Sequence, residues 1–204
     1  MEQTDTYLTI AGKSEGLYKE KGSKFIALAF PIQSEEEIKT ILVDLRKQYH
    51  DARHHCYAYI LGFKSESWRA NDDGEPSSTA GKPIHGQLLS RNLTNTLVVV
   101  IRYFGGTKLG VSGLINAYKT AASEALDAAT IVEKTVNDIY KISFAYPATN
   151  EVMRLIKDED LFVINQVFDT SCSVTIGIRQ SKLTLVLDKV DKIDSAVAEY
   201  VRTD

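Results

Sequence analysis

Two stretches of the 204-residue sequence predict an α+β fold built in two domains. In the first, Leu97-Val98-Val99-Val100-Ile101 leads through Arg102-Tyr103-Phe104 into a turn holding Gly105, Gly106, Gly110 and Gly113. Leu114, Ile115, Tyr118, Ala121, Ala122, Ala125, Leu126 and Ala129 then recur at helical spacing. A short β-branched run of this kind suits a strand covered on both faces, and the stripe behind it is one wide apolar helix face. In the second stretch the pattern restarts after Glu133 and reads as strands and helices in the order βαββαβ.

Taken in order, residues 6–12 and 15–20 read as short strands or a ragged hairpin, punctuated by Gly12, Gly16 and Gly22. Residues 24–31 form a strand closed by Pro31. Ser34-Glu35-Glu36-Glu37 is a capping box, in which the serine hydroxyl covers the amide three residues on and the glutamate reaches back. It opens a helix with Ile38, Ile41, Leu42, Leu45 and Tyr49 on one face. Residues 51–61 follow as a strand, with Cys56, Ala58 and Ile60 on one side and Tyr57, Tyr59 and Leu61 on the other. His54 and His55, adjacent on that strand, face opposite ways, so at most one of them belongs to a site. The segment from Gly62 to Ala80 reads as one long, polar, turn-rich connection, and such loops are commonly functional. Thr79 is placed to cap a helix that carries Pro83 in its first turn and runs to about Asn92.

In the second half, Tyr140, Ile142, Phe144 and Tyr146 alternate along a strand, and Pro147 opens a helix with Val152, Leu155 and Ile156. Residues 162–168 and 172–178 make a hairpin around Asp169-Thr170-Ser171. Leu183, Leu185 and Leu187 alternate like a strand, but the overall pattern favours a helix over 181–193, with 197–202 as the last strand. The resulting order is ferredoxin-like. The expected domains are 1–133 and 137–204, joined by a linker at about 130–137.

Composition narrows the function classes. With 44% hydrophobic and 25% charged residues the chain reads as a globular protein. No apolar run reaches the roughly 18 residues of a membrane span, and Met1-Glu-Gln-Thr-Asp-Thr6 lacks the basic and apolar regions of a signal peptide, so a cytoplasmic protein is expected. Cys56 and Cys172 have neither metal-site spacing nor the pattern of a disulfide framework, and read as buried thiols. Net charge is −3, with 16 basic against 16 acidic residues over 1–135 and 8 against 11 over the rest. That balance excludes a protein that coats nucleic acid through overall charge; any RNA binding has to come from a local patch.

Two constellations carry chemistry. Arg102, Tyr103 and Lys108 flank a glycine turn that ends at a helix N-terminus, where free amides and the helix dipole favour negative charge. It is not a Walker loop, since no Gly-Lys-Ser/Thr follows, and the plainer reading is a tight strand-to-helix connection. Asn71-Asp72-Asp73-Gly74-Glu75-Pro76 gathers three carboxylates that can hold a hard cation, act as acid and base, or simply make turns ahead of a helix. One of them is expected to pair with Arg102. Ser77 and Ser78 lack a Gly-x-Ser-x-Gly elbow, which sets aside a serine hydrolase.

Arg102-Tyr103-Phe104-Gly105-Gly106 with Lys108-Leu109-Gly110 and Gly113-Leu114, together with Asp72-Asp73-Gly74-Glu75-Pro76 and Thr79-Ala80-Gly81-Lys82-Pro83-Ile84, resembles the Impact family, including its bacterial YigZ-like members. The resemblance implies an N-terminal domain with the fold shared by a ribosomal protein domain and one domain of the translocating elongation factor. It implies a ferredoxin-like C-terminal domain of unknown function, and a link to translational control. The expected function is that of a non-catalytic factor binding RNA, the ribosome or a translation factor, without cofactor, metal or catalytic residue. The binding residues are expected to be His55, Asp72, Asp73, Glu75, Arg102, Tyr103, Gly105, Gly106, Lys108 and Gly110. The alternative is a small-molecule enzyme or phosphate-ligand binder using the acidic loop and the glycine turn. Ser78 and Ser112 stand where the family usually has glycine, Asn116 where arginine is common, and Arg53 where a small hydroxyl residue is usual. All of this requires the acidic loop and the glycine turn to meet on one concave surface.

Overall fold

The computed structural model describes residues 5–169 and 171–204. Thr170, at the tip of the expected hairpin, and residues 1–4, part of the segment read for a leader, lie outside the described residues. The chain divides into two compact units, Tyr7–Lys134 and Thr135–Asp204, with Asp5 and Thr6 belonging to the second.

The first unit contains β1 (Thr6–Ile10), β2 (Ser14–Glu20), β3 (Ser23–Pro31), α1 (Glu35–Gln48), β4 (His54–Leu61), β5 (Ser67–Asn71), α2 (Gly81–Ser90), β6 (Thr96–Tyr103), α3 (Gly110–Asp127) and β7 (Ile131–Thr135). Five strands form an antiparallel sheet in the order β2-β3-β6-β4-β5. The apolar run 97–101 explains why β6 is central: its side chains are fully buried on both faces. Val98 and Val100 join Phe25, Cys56 and Ala58 against Ile84 and Leu88 of α2 and Leu114, Tyr118 and Ala121 of α3. Val99 and Ile101 join Leu28, Tyr57 and Tyr59 against Ile38 and Leu45 of α1 on the other face. Ser34 caps α1 by accepting the Glu37 amide at 3.2 Å, while the Glu37 carboxylate accepts the amide of Gln33 at 2.8 Å, one residue before the cap.

Two local expectations are corrected. The first two strands do not form a hairpin with each other: β1 pairs with β7 in a separate two-stranded sheet, and β2 pairs with β3. The segment after Gly62 is not all loop, because β5 pairs with β4 and ends the sheet. Ser67-Trp-Arg-Ala-Asn71 does alternate polar and apolar residues, but over only five positions inside a polar stretch; it pairs with the β4 edge, Ala70 packs on the core, and Trp68 stacks on His85 of α2 at 4.5 Å between ring centroids.

The second unit carries β8 (Asn137–Phe144), a 3₁₀ turn at Tyr146–Ala148 around Pro147, α4 (Thr149–Asp158), β9 (Phe162–Phe168), β10 (Cys172–Arg179), α5 (Leu183–Val190) and β11 (Val197–Thr203). Its antiparallel sheet has the order β11-β8-β10-β9, the ferredoxin-like arrangement. Ile142, Val174, Ile176 and Ile178 pack on Val152, Leu155 and Ile156 of α4 and on Val186 and Val190 of α5. Those two valines, four apart, settle the 183–190 segment as helix over the strand-like alternation of its leucines. Among the described residues no helix is long and apolar enough to cross a membrane, and Cys56 and Cys172 are buried free thiols.

Candidate functional site

The site is built where β6 runs out of sheet. Arg102 is the last buried residue of that strand, opposite Phe25 of β3 and His54 of β4. Its Nη1 donates to Glu75 Oε1 at 2.6 Å, and the two side chains are only 7% and 4% exposed. Tyr118 of α3 donates its hydroxyl to the same Glu75 oxygen at 2.7 Å. The guanidinium carbon lies 5.4 Å from the Phe25 ring centroid and 5.7 Å from that of Phe104, so the cation is held between two aromatic rings. The acidic loop and the glycine turn therefore meet, through an ion pair sheltered enough to hold both segments in one geometry.

The other two acidic residues serve the loop itself. Asp72 Oδ1 accepts the amides of Ala80 and Gly81 at 3.0 and 2.8 Å, and Oδ2 accepts that of Ser78 at 2.8 Å. It thus covers the N-terminus of α2, the part expected of Thr79, whose hydroxyl instead donates to the Pro76 carbonyl at 2.6 Å. Ser78 adopts φ +64°, which explains why glycine suits this position. Asp73 accepts the backbone amide of His55 at 2.6 Å and pairs with Arg46 at 2.8 Å. Burial pushes its carboxyl upward, but the Arg46 guanidinium and the His55 amide outweigh that and hold it below the usual aspartate value.

The two histidines separate as strand parity requires. His55 turns toward the α1 layer, is 3% exposed, and has both ring nitrogens without a hydrogen-bond partner among the described residues. Burial, reinforced by Arg46, lowers its pKa and keeps it neutral; it is out of reach of a ligand. His54, which the sequence reading passed over, faces the loop, with Nδ1 2.9 Å from the Asp73 carbonyl oxygen.

A cavity of about 670 Å³ opens beside it, lined by Asp51, Arg53, His54, Tyr103, Phe104 and Lys108. The Tyr103 hydroxyl donates to Asp51 at 2.7 Å, and the neighbouring carboxylate pushes the phenol up to about 12. A second cavity of about 370 Å³ is lined by Pro76, Phe104, Leu109, Val111 and Leu114 with the Glu75–Arg102 pair at its base. Arg102, Phe104 and Lys108 line both and form the wall between them. Neither Arg53 nor Lys108 makes an ion pair among the described residues.

The glycines have different tasks. Gly105 donates its amide to Ser23 Oγ at 3.1 Å and lies so near the β2–β3 turn that a Cβ there would come within 3.0 Å of backbone atoms of Gly22 and Ser23. Gly106 and Gly110 take φ +88° and +73°. Gly110 starts α3, which has no side-chain cap and no acidic residue in its first turn, so its free amides and dipole present positive potential where Gly110 and Val111 border the smaller cavity.

Sequence reasoning thus brought together Asp72, Asp73, Glu75, Arg102, Tyr103 and the glycine turn, but missed His54 and Phe104. The signal for Phe104 was its place immediately beyond the strand end, before two glycines; it is 59% exposed. Arg53, noted as a departure from the family pattern, lines the larger cavity together with Lys108.

Residues 21–126 match the Impact N-terminal domain. The chain is 35% identical over 162 residues to the IMPACT family member YvyE of Bacillus subtilis, covering 79% of this chain and 74% of that protein. It is 32% identical over 165 residues to the IMPACT family member YigZ of Escherichia coli, covering 80% of this chain and 81% of that one. A crystal structure titled as that of a hypothetical protein superposes with a TM-score of 0.75 at 27% identity, covering 98% of this chain and 99% of the other.

Proposed function

Because the chain belongs to the Impact family, we propose that it is a cytoplasmic factor that acts by binding, with RNA or the translation machinery as its partner. One observation carries this reading. Arg53, His54 and Lys108 surround a cavity beside the exposed ring of Phe104, while the carboxylates of the adjoining loop are occupied by backbone amides, Arg46, Arg102 and Tyr118. Cations next to an exposed aromatic ring suit phosphates and bases, and a local patch is what a chain of net charge −3 needs in order to hold RNA. Translational control, which the family resemblance implies, is consistent with such a partner.

Co-sedimentation with ribosomes tests this. The wild-type chain is expected to pellet with them at low salt, and an Arg53→Ala/Lys108→Ala variant to remain in the supernatant; no association of the wild type at low salt overturns the reading. Arg102→Ala is unsuitable as the probe, because it leaves Glu75 buried and unpaired.

The uncapped α3 N-terminus beside Lys108 favours a second reading, in which the same cleft takes a small phosphorylated ligand. A rise in melting temperature with nucleotides or sugar phosphates, measured with and without Mg²⁺, supports it; no shift with any of them removes it.

A further inference from the structure

We infer that the nucleic acid this site takes is single-stranded, with one unstacked base lying on Phe104 over the smaller cavity and its flanking phosphates on the Arg53–His54–Lys108 side. The inference rests on the RNA form of the preceding reading and specifies its ligand.

Phe104 sets the geometry. One face of its ring meets the Arg102 guanidinium, which is itself clamped by Phe25 and Glu75, and the next residue, Gly105, is pinned to Ser23. An exposed aromatic ring would ordinarily lose side-chain freedom on binding; this one is held before any ligand arrives. It remains 59% exposed, so much of the ring is available for stacking.

The cavities on its two sides differ in the way a nucleotide differs from end to end. The smaller is walled by Pro76, Leu109, Val111 and Leu114, and its one carboxylate, Glu75, is neutralised by Arg102. At about 370 Å³ it sits at the low end of ligand sites, roughly 300–1,000 Å³, with room for one planar group. The larger presents Arg53, His54 and Lys108, and its single carboxylate, Asp51, is engaged by Tyr103. Lys108 borders both, where a phosphate joining the two halves would lie.

A duplex cannot use this arrangement. Its bases are stacked on one another, so only its phosphates would reach the cations, and the apolar pocket and Phe104 would contribute nothing.

Fluorescence anisotropy with the full chain and labelled 12-nucleotide RNAs decides the matter. A single strand is expected to bind at least about tenfold more tightly than a hairpin duplex of the same length, and Phe104→Ala to weaken the single strand by about tenfold while leaving the duplex unchanged. Phe104→Trp, which keeps the stacking surface, is expected to retain single-strand binding and guards against a folding defect. Lys108→Ala is expected to weaken both RNAs and reduce the salt slope by about 1. Equal binding of single strand and duplex, or a Phe104→Ala variant that folds and binds the single strand as well as wild type, overturns the inference and leaves RNA binding standing. If neither RNA binds at low salt, the RNA reading falls with it.

Discussion

Arg102 and Glu75, 27 residues apart in sequence, meet at 2.6 Å in an ion pair that water barely reaches, with 7% and 4% of the side chains exposed. A pair this deeply buried contributes little net stability compared with apolar residues of the same size, yet losing one partner strands the other charge in a low-dielectric interior. Its consequence is positional: it ties the acidic loop to the strand that leads into the glycine turn, and it orders Phe104.

Arg102→Ala is therefore expected to cost about 3–5 kcal/mol in urea unfolding of the Tyr7–Lys134 unit. Glu75 would lose its cation and keep only the Tyr118 hydroxyl. Replacing both partners, as Arg102→Met/Glu75→Leu, should recover most of that loss, whereas Lys108→Ala should stay within about 0.5 kcal/mol of wild type. A single Arg102→Ala variant as stable as Lys108→Ala would contradict this account of the pair.

The elements that were legible from sequence are those whose side chains repeat. The 97–101 run suits a strand covered on both faces, and the stripe from Leu114 reads as one wide apolar helix face; β6 and α3 form there. The convergence of the two motifs could be anticipated because opposite charges flanked structures needing a fixed geometry, and Arg102 finds Glu75. Three things were not legible. Parity on β4 says that His54 and His55 part company, but not which of them meets the loop; that depends on which face α1 covers, and His55 shares the side of Tyr57 and Tyr59, which pack against α1. The β5 strand alternates, but with only Trp68 and Ala70 as its apolar residues the signal is too short to stand out from the polar segment around it, and the strand depends on pairing with β4. The task of Asp72 depends on three amides, those of Ser78, Ala80 and Gly81, which only the folded loop brings around it.

Gly105 and Gly106 should respond very differently to alanine. At Gly105 the new methyl would press into the backbone of Gly22 and Ser23, which cannot move without breaking the β2–β3 turn. The expected result is a loss of more than about 3 kcal/mol, or an insoluble protein, by the standard of severe overpacking. At Gly106 the methyl meets nothing within 4 Å, and the cost is that of holding alanine at φ +88°, about 1–2 kcal/mol. Thermal denaturation of the two variants side by side tests the ranking, which an equal effect would refute.

Asp72 acts as a helix cap supplied from eight and nine residues upstream of the amides it covers. Asp72→Ala should cost about 2 kcal/mol, the upper range for a lost cap. Asp72→Asn, which keeps an acceptor oxygen for Ala80 and Gly81 but turns an amide toward Ser78, should cost less. Hydrogen exchange in the first turn of α2 should quicken in the same order. If both substitutions leave that exchange unchanged, the α2 amides have another acceptor and the capping assignment is wrong.

Acid should weaken the C-terminal unit through Asp5. Arg179 grips its carboxylate with Nε at 2.7 Å and Nη2 at 2.8 Å, and the Ser181 amide adds a third bond at 2.9 Å. These bonds, the arginine first, outweigh the opposing effect of burial and hold Asp5 well below the ordinary aspartate value of 3.8. For a carboxyl whose folded pKa lies below its unfolded one, the stabilisation is fully present above the unfolded value. It fades as pH falls toward the folded one, because the unfolded chain takes up the proton first. The stability gap between wild type and Asp5→Asn, read from hydrogen exchange of the β8 and β10 amides, is therefore expected to be widest at neutral pH and to close progressively between about pH 5 and pH 2. A gap that stays constant over that range would mean that Asp5 contributes through packing alone, and that its ion pair with Arg179 carries no pH-dependent share of the stability.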